Sequence, residues 1–114
     1  MTINNVINKY KCEWINKDGL YRYKVNVKEV FFVSIIAGPG AYSEPQTMLN
    51  KFSDYDFYEI AFFDMDNNWL KVEPKLSNPA EVTYERYELT DTWAMVSPLQ
   101  IKNAIDALLE AWQG

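Results

Sequence analysis

A chain of 114 residues is about one domain's worth and can bury roughly two-thirds of its unfolded surface. With 48% apolar and 16% aromatic residues, burial can offset the entropy of ordering, which argues against intrinsic disorder. The net charge of −5 divides into +2 over residues 1–50 and −7 over residues 51–114, a balance that disfavours nucleic acid and anionic membranes as direct partners.

Ile3, Val6, Ile7 and Tyr10 recur at helical spacing behind Thr2, a residue suited to capping, and predict a short helix over residues 3–10. Lys17-Asp18-Gly19 is a turn signal. Tyr21, Tyr23, Val25 and Val27 then alternate with Arg22, Lys24 and Asn26, the pattern of a strand with one wet face. Alternation sets the two tyrosines on the face opposite Arg22 and Lys24. Lys28-Glu29 connects this strand to the near-continuously apolar run Val30 to Ala37, which reads as a central strand covered on both faces. Gly38-Pro39-Gly40 ends it. A helix over Pro45 to Phe52 is expected, because proline suits a first helical turn.

Phe57 to Asp64 predicts the next strand, Asp66-Asn67-Asn68 a hairpin turn, and Trp69 to Glu73 the return strand. Pro74 to Pro79 is a loop. Glu81 to Leu89 and Trp93 to Val96 are further strands. Ser97-Pro98-Leu99-Gln100 is a capping box with proline in the first helical position. Ile101, Ala104, Ile105, Leu108 and Trp112 follow at three- and four-residue spacing, with Lys102, Asp106 and Glu110 on the other side and Gly114 as the stop. These elements predict one α+β domain over residues 1–114. Its mostly antiparallel sheet has about five or six strands, packed with a short N-terminal helix and an amphipathic C-terminal helix.

The chain has no histidine, one cysteine and four glycines. Histidine is the commonest general base, and its absence removes Ser-His-Asp and Cys-His nucleophile systems from the chain. Zinc sites of the Cys/His type would have a single ligand. No phosphate loop or dinucleotide fingerprint occurs. Carboxylate chemistry is still open, but the expected class is a non-enzymatic binding protein without cofactor or metal. Cys12 alone allows no internal disulfide, the N-terminus lacks a signal-peptide core, and no apolar run approaches ~18 residues, so a cytoplasmic location is expected.

Asp64, Asp66 and Asn68 begin like a calcium loop, but Trp69 and Lys75 stand where glycine and glutamate are required. Two other groups are candidate sites. Asp54, Asp56, Asp64, Asp66, Glu81, Glu85, Glu88 and Asp91 interleave with Tyr55, Tyr58, Tyr84 and Tyr87, the composition of an acidic partner-binding surface with tyrosine anchors. Gly38, Gly40, Tyr42 and Ser43 follow a central strand, where loops hold ligand pockets. The basic set Lys9, Lys11, Lys17, Arg22, Lys24 and Lys28 reads as a solvated face.

Phe32-Val33-Ser34-Ile35-Ile36 with Gly38 and Gly40-Ala41-Tyr42-Ser43 forms one part of a recognisable pattern. Tyr58-Glu59-Ile60-Ala61-Phe62-Phe63-Asp64 with Trp69-Leu70 forms a second, and Trp93 to Val96 leading into Ser97-Pro98 and a terminal helix a third. The pattern resembles small uncharacterised proteins encoded by phages and prophages of Gram-positive bacteria, and Pro74 to Thr90 lies outside it. The resemblance carries over no catalytic or binding residue. It implies a mobile-element setting, where short acidic proteins inhibit host defences, including CRISPR nucleases. The expected function is occlusion of a host protein, such as a nucleic-acid-binding defence effector, through the acidic tyrosine-rich surface. The alternatives are a ligand-sequestering module with a pocket near Gly38 to Ser43, and an immunity protein that neutralises a toxin.

Overall fold

The computed structural model describes residues 1–15, 20–70, 85–87 and 92–113; at residues 85–87, 92–94 and 111–113 the description is of the backbone. Six strands form one sheet: β1 (Lys11–Ile15), β2 (Tyr21–Val27), β3 (Phe31–Ala37), β4 (Tyr58–Asp64), β5 (Glu85–Tyr87) and β6 (Thr92–Val96). Their order is β1-β2-β3-β4-β6-β5, and every neighbouring pair is antiparallel. Helices α1 (Asn4–Ile7) and α2 (Pro98–Gln113) complete the α+β fold.

Alternation along β2, β3 and β4 decides what is core. Val25, Val27, Phe31, Val33, Ile35, Tyr58, Ile60 and Phe62 are fully buried on one face. There they pack with Ile3 and Val6, with Ile101, Ala104 and Ile105 of α2, and with Phe52 and Tyr55. The burial of β3 alternates strictly between full and partial, so this central strand spends its second face otherwise than on that core. Tyr21 and Tyr23 lie on the core side, in ring contact with Trp14 and Phe52. Lys28 and Glu29, at φ 54° and 60°, give the two left-handed residues that a tight β2–β3 connection needs.

The capping box forms as expected. Ser97 N–H donates to Gln100 Oε1 at 2.8 Å and Gln100 N–H to Ser97 Oγ at 3.2 Å. Two helices differ from expectation. The N-terminal one is confined to Asn4–Ile7 with Ile3 at its cap, and the Thr2 side chain does not cap it. The Ile7 carbonyl that would extend it accepts the Cys12 thiol at 2.9 Å instead, and the chain enters β1, a strand the sequence pattern did not reveal. No α-helix forms over Pro45 to Phe52; only a 3₁₀ turn follows at Phe52–Asp54. Carbonyls that would build it are taken by hydroxyls. Ser43 donates to Pro45 O, Tyr55 to Thr47 O, and Tyr21 to Leu49 O, at 2.9, 2.6 and 2.6 Å. The predicted Lys17-Asp18-Gly19 turn, Pro74 to Pro79 loop and most of the Glu81 to Leu89 strand lie outside the described residues; of the last, β5 is described. Of the predicted return strand, Trp69 bridges to Phe63, and Leu70 N–H donates to Phe62 O at 2.9 Å.

Ile35 lies at the centre of this core, and Ile35→Ala is expected to cost about 2–5 kcal/mol through lost burial and the cavity left behind. Ser97→Ala is expected to cost about 1 kcal/mol through its cap. Urea unfolding of both variants checks the order.

Candidate functional site on the open sheet face

The second face of the sheet is built by register. Arg22 is opposite Ile36, and Ile36 opposite Glu59. One step along, Lys24 faces Ser34 and Ser34 faces Ala61; one further, Phe32 faces Phe63. The middle row has small side chains between larger ones, and the surface sinks there. Beyond β4 the hairpin folds Trp69 onto Phe63, with ring centroids 4.6 Å apart, and leaves Trp69 52% exposed.

Two adjoining recesses result. One, of about 190 Å³, lies between Arg22, Ser34, Ile36, Glu59, Phe63 and Trp69. The other, of about 180 Å³, lies between Ile15, Arg22, Lys24, Ser34, Phe63 and Asn67. Arg22, Ser34 and Phe63 line both. Each is smaller than the few hundred Å³ of a typical ligand site, and side by side they reach its lower end.

The polar groups are unequally satisfied. Glu59 Oε1 accepts the Tyr42 amide at 3.1 Å. Burial nonetheless holds the Glu59 carboxyl above its ordinary 4.5, against the smaller pulls of that amide and of the Arg22 charge. Lys24 Nζ donates to Asn67 Oδ1 and stands 4.2 Å over the Phe32 ring. Arg22 Nε is shut off from solvent and has no hydrogen-bond partner among the described residues. Such an orphaned donor costs about 1–3 kcal/mol, so its persistence calls for a reason.

The described residues among those singled out from the sequence do not gather. Asp54 and Asp56 are exposed beside the 3₁₀ turn, while Asp64 and Asp66 stand at the hairpin. The length of β4 separates these pairs, about 20 Å at the rise of a strand. Asp64 is spent on its own turn: Oδ1 accepts the Asp66 and Asn68 amides at 2.9 Å, and these bonds hold its carboxyl below the usual range. Tyr55 and Tyr58 are core residues, 3% and 0% exposed, and present no ring to a partner. This corrects their place in an acidic tyrosine-rich surface. Glu85 and Tyr87 lie on the edge strand β5. Glu81, Tyr84, Glu88 and Asp91 lie outside the described residues.

The Gly38 to Ser43 loop is a structural turn. Gly38 and Gly40 hold φ of 126° and 82°. A side chain at Gly38 would meet Leu20 Cβ at 3.3 Å. The Gly38 amide donates to buried Ser43 Oγ, so neither group is offered to a ligand, which counts against the alternative of a pocket near Gly38 to Ser43. Tyr42 alone reaches the site, through its amide on Glu59, while its carbonyl accepts Met95 N–H at 3.0 Å where β6 bulges. Sequence reasoning does not find Arg22, Ser34, Glu59, Phe63 and Trp69 as a group. Their signal is a serine and an alanine opposite each other among large neighbours, visible once register is known.

No protein family, curated protein or solved structure matches this chain.

The raised Glu59 carboxyl destabilises the native state at neutral pH. That cost is lifted as pH falls through the raised pKa, and is gone below the ordinary value near 4.5. Glu59→Gln keeps an acceptor for Tyr42 and removes the buried charge. The variant is expected to unfold at a higher temperature than the parent at pH 7, the gap narrowing as pH falls to 4.5. Thermal unfolding across that range checks it.

Proposed function

We propose that the protein is a non-enzymatic binding module whose working surface is the open face of β2, β3 and β4. The observation that carries this reading is Arg22: a guanidinium lining two joined recesses, with a shielded Nε that no described residue satisfies. A structural arginine would be paired, because an unmet buried donor is a net cost. The side chain as a whole is half-buried and lines both recesses, and a guanidinium is suited to carboxylate or phosphate. The half-exposed Trp69 against Phe63 adds a flat apolar wall, which binds a ring at low entropy cost. The missing histidine and the lone cysteine support binding over turnover.

This reading takes up the ligand-sequestering alternative and moves it from the glycine loop to the adjoining sheet face. In a mobile-element setting, such a module would withhold a small host molecule or occupy the host protein that carries it. Occlusion by an acidic tyrosine-rich surface has less support, since its acidic pairs stand apart and two of its tyrosines are core.

Arg22→Met removes the orphaned donor while keeping an apolar stem. The variant is expected to be as stable as the parent or more so, and to lose binding. A thermal-shift panel of aromatic carboxylates and organic phosphates, run on both proteins, checks this. At least one compound should raise the parent's melting temperature and leave that of Arg22→Met unmoved. Equal shifts in both proteins, or a variant markedly less stable, would show Arg22 to be structural.

A further inference from the structure

The two recesses differ in chemistry. The one holding Lys24 has Arg22 as a second cation, the Ser34 hydroxyl, and no carboxylate among its described lining residues. The one holding Glu59 is walled by Ile36, Phe63 and Trp69. A carboxylate accepts and never donates. Glu59 uses Oε1 on the Tyr42 amide, and its second oxygen, with no hydrogen bond to it shown among the described residues, can take an N–H from a ligand. The open face therefore calls for one molecule with an anionic end, a flat ring, and N–H donors on the ring's far edge.

We propose that this molecule is a nucleoside monophosphate, with phosphate between Arg22 and Lys24, base against Trp69 and Phe63, and base N–H groups directed to Glu59. The inference rests on the open face being a ligand site and goes further by naming the ligand's chemistry. Ser34, shared by both recesses, stands where a sugar hydroxyl would fall. Bases of every kind stack on aromatic side chains, and charge-assisted bonds from guanidinium are the stronger class of hydrogen bond. Guanine is the base chosen for the test, because its ring and exocyclic N–H groups are donors on the edge that would reach the second Glu59 oxygen. A free nucleotide is favoured over a nucleic-acid strand by the net charge of −5, which repels an extended polyanion.

Calorimetric titration of the full chain tests this with GMP, guanosine, inorganic phosphate and a ten-nucleotide single strand as probes. GMP is expected to bind at least ~10-fold more tightly than guanosine or phosphate, the difference that a single charge-assisted hydrogen bond makes. Arg22→Met should weaken GMP by a similar factor. Glu59→Gln should weaken GMP and leave phosphate unchanged. A strand that binds more tightly than GMP would overturn the free-nucleotide assignment in favour of nucleic acid. Failure of GMP, with other organic anions still binding through Arg22, would overturn the nucleotide and leave the open-face reading standing. Failure of every compound, with Arg22→Met silent, would overturn both.

Discussion

A β-strand gives its side chains to two faces in turn, and this protein depends on how β2, β3 and β4 divide theirs. One face is committed to a core that closes against α2 and the Phe52–Tyr58 segment. Because the period is two, a slip of one residue would carry Ile35 and Phe62 to the outside and Arg22 and Glu59 into the core. Burying those charges there would cost far more than any surface pairing returns. The hydrophobic face thus fixes the register, and the register fixes which polar groups meet on the other face.

The connections serve that division. The Gly38 to Pro45 segment binds its own amides and carbonyls through Ser43, and touches the open face only where Tyr42 holds Glu59. The Asp64 hairpin satisfies its carboxylate locally and so folds Trp69 back over Phe63. Both segments are tied by hydrogen bonds within them. Glu59 and Trp69 are therefore held by bonds and contacts within the protein, and Arg22 Nε is a buried donor with no partner among the described residues. Pre-placement of this kind lowers the entropy cost of binding.

The α+β class, β2, β3, β4, β6 and the capped α2 were legible because each is written in adjacent residues: alternation for the strands, Ser97 to Gln100 for the helix start. β1 was not, since five residues following a short helix give too little period to read. The helix expected after Pro45 failed because hydroxyls of Ser43, Tyr55 and Tyr21 claim its carbonyls, and one of those donors, Tyr21, is distant in sequence. The site was illegible for the same physical reason. Arg22 and Glu59 share a row only through two strand pairings, and Arg22 looked like any residue of a wet face. Tyr55 and Tyr58 misled in the opposite direction: composition marks tyrosine as an interface residue, whereas here their hydroxyls bond backbone carbonyls at the edge of the core.

The central claim is that Arg22, whose Nε has no partner among the described residues, holds an anionic ligand in the recesses it lines. The proton–nitrogen resonance of Arg22 Nε reports this directly. In the free protein it should lie where an unbonded Nε resonates, and it should shift, saturably, as GMP binds the accessible part of the side chain. A resonance already at the bonded position in the free protein, or one that GMP leaves in place, would contradict the account.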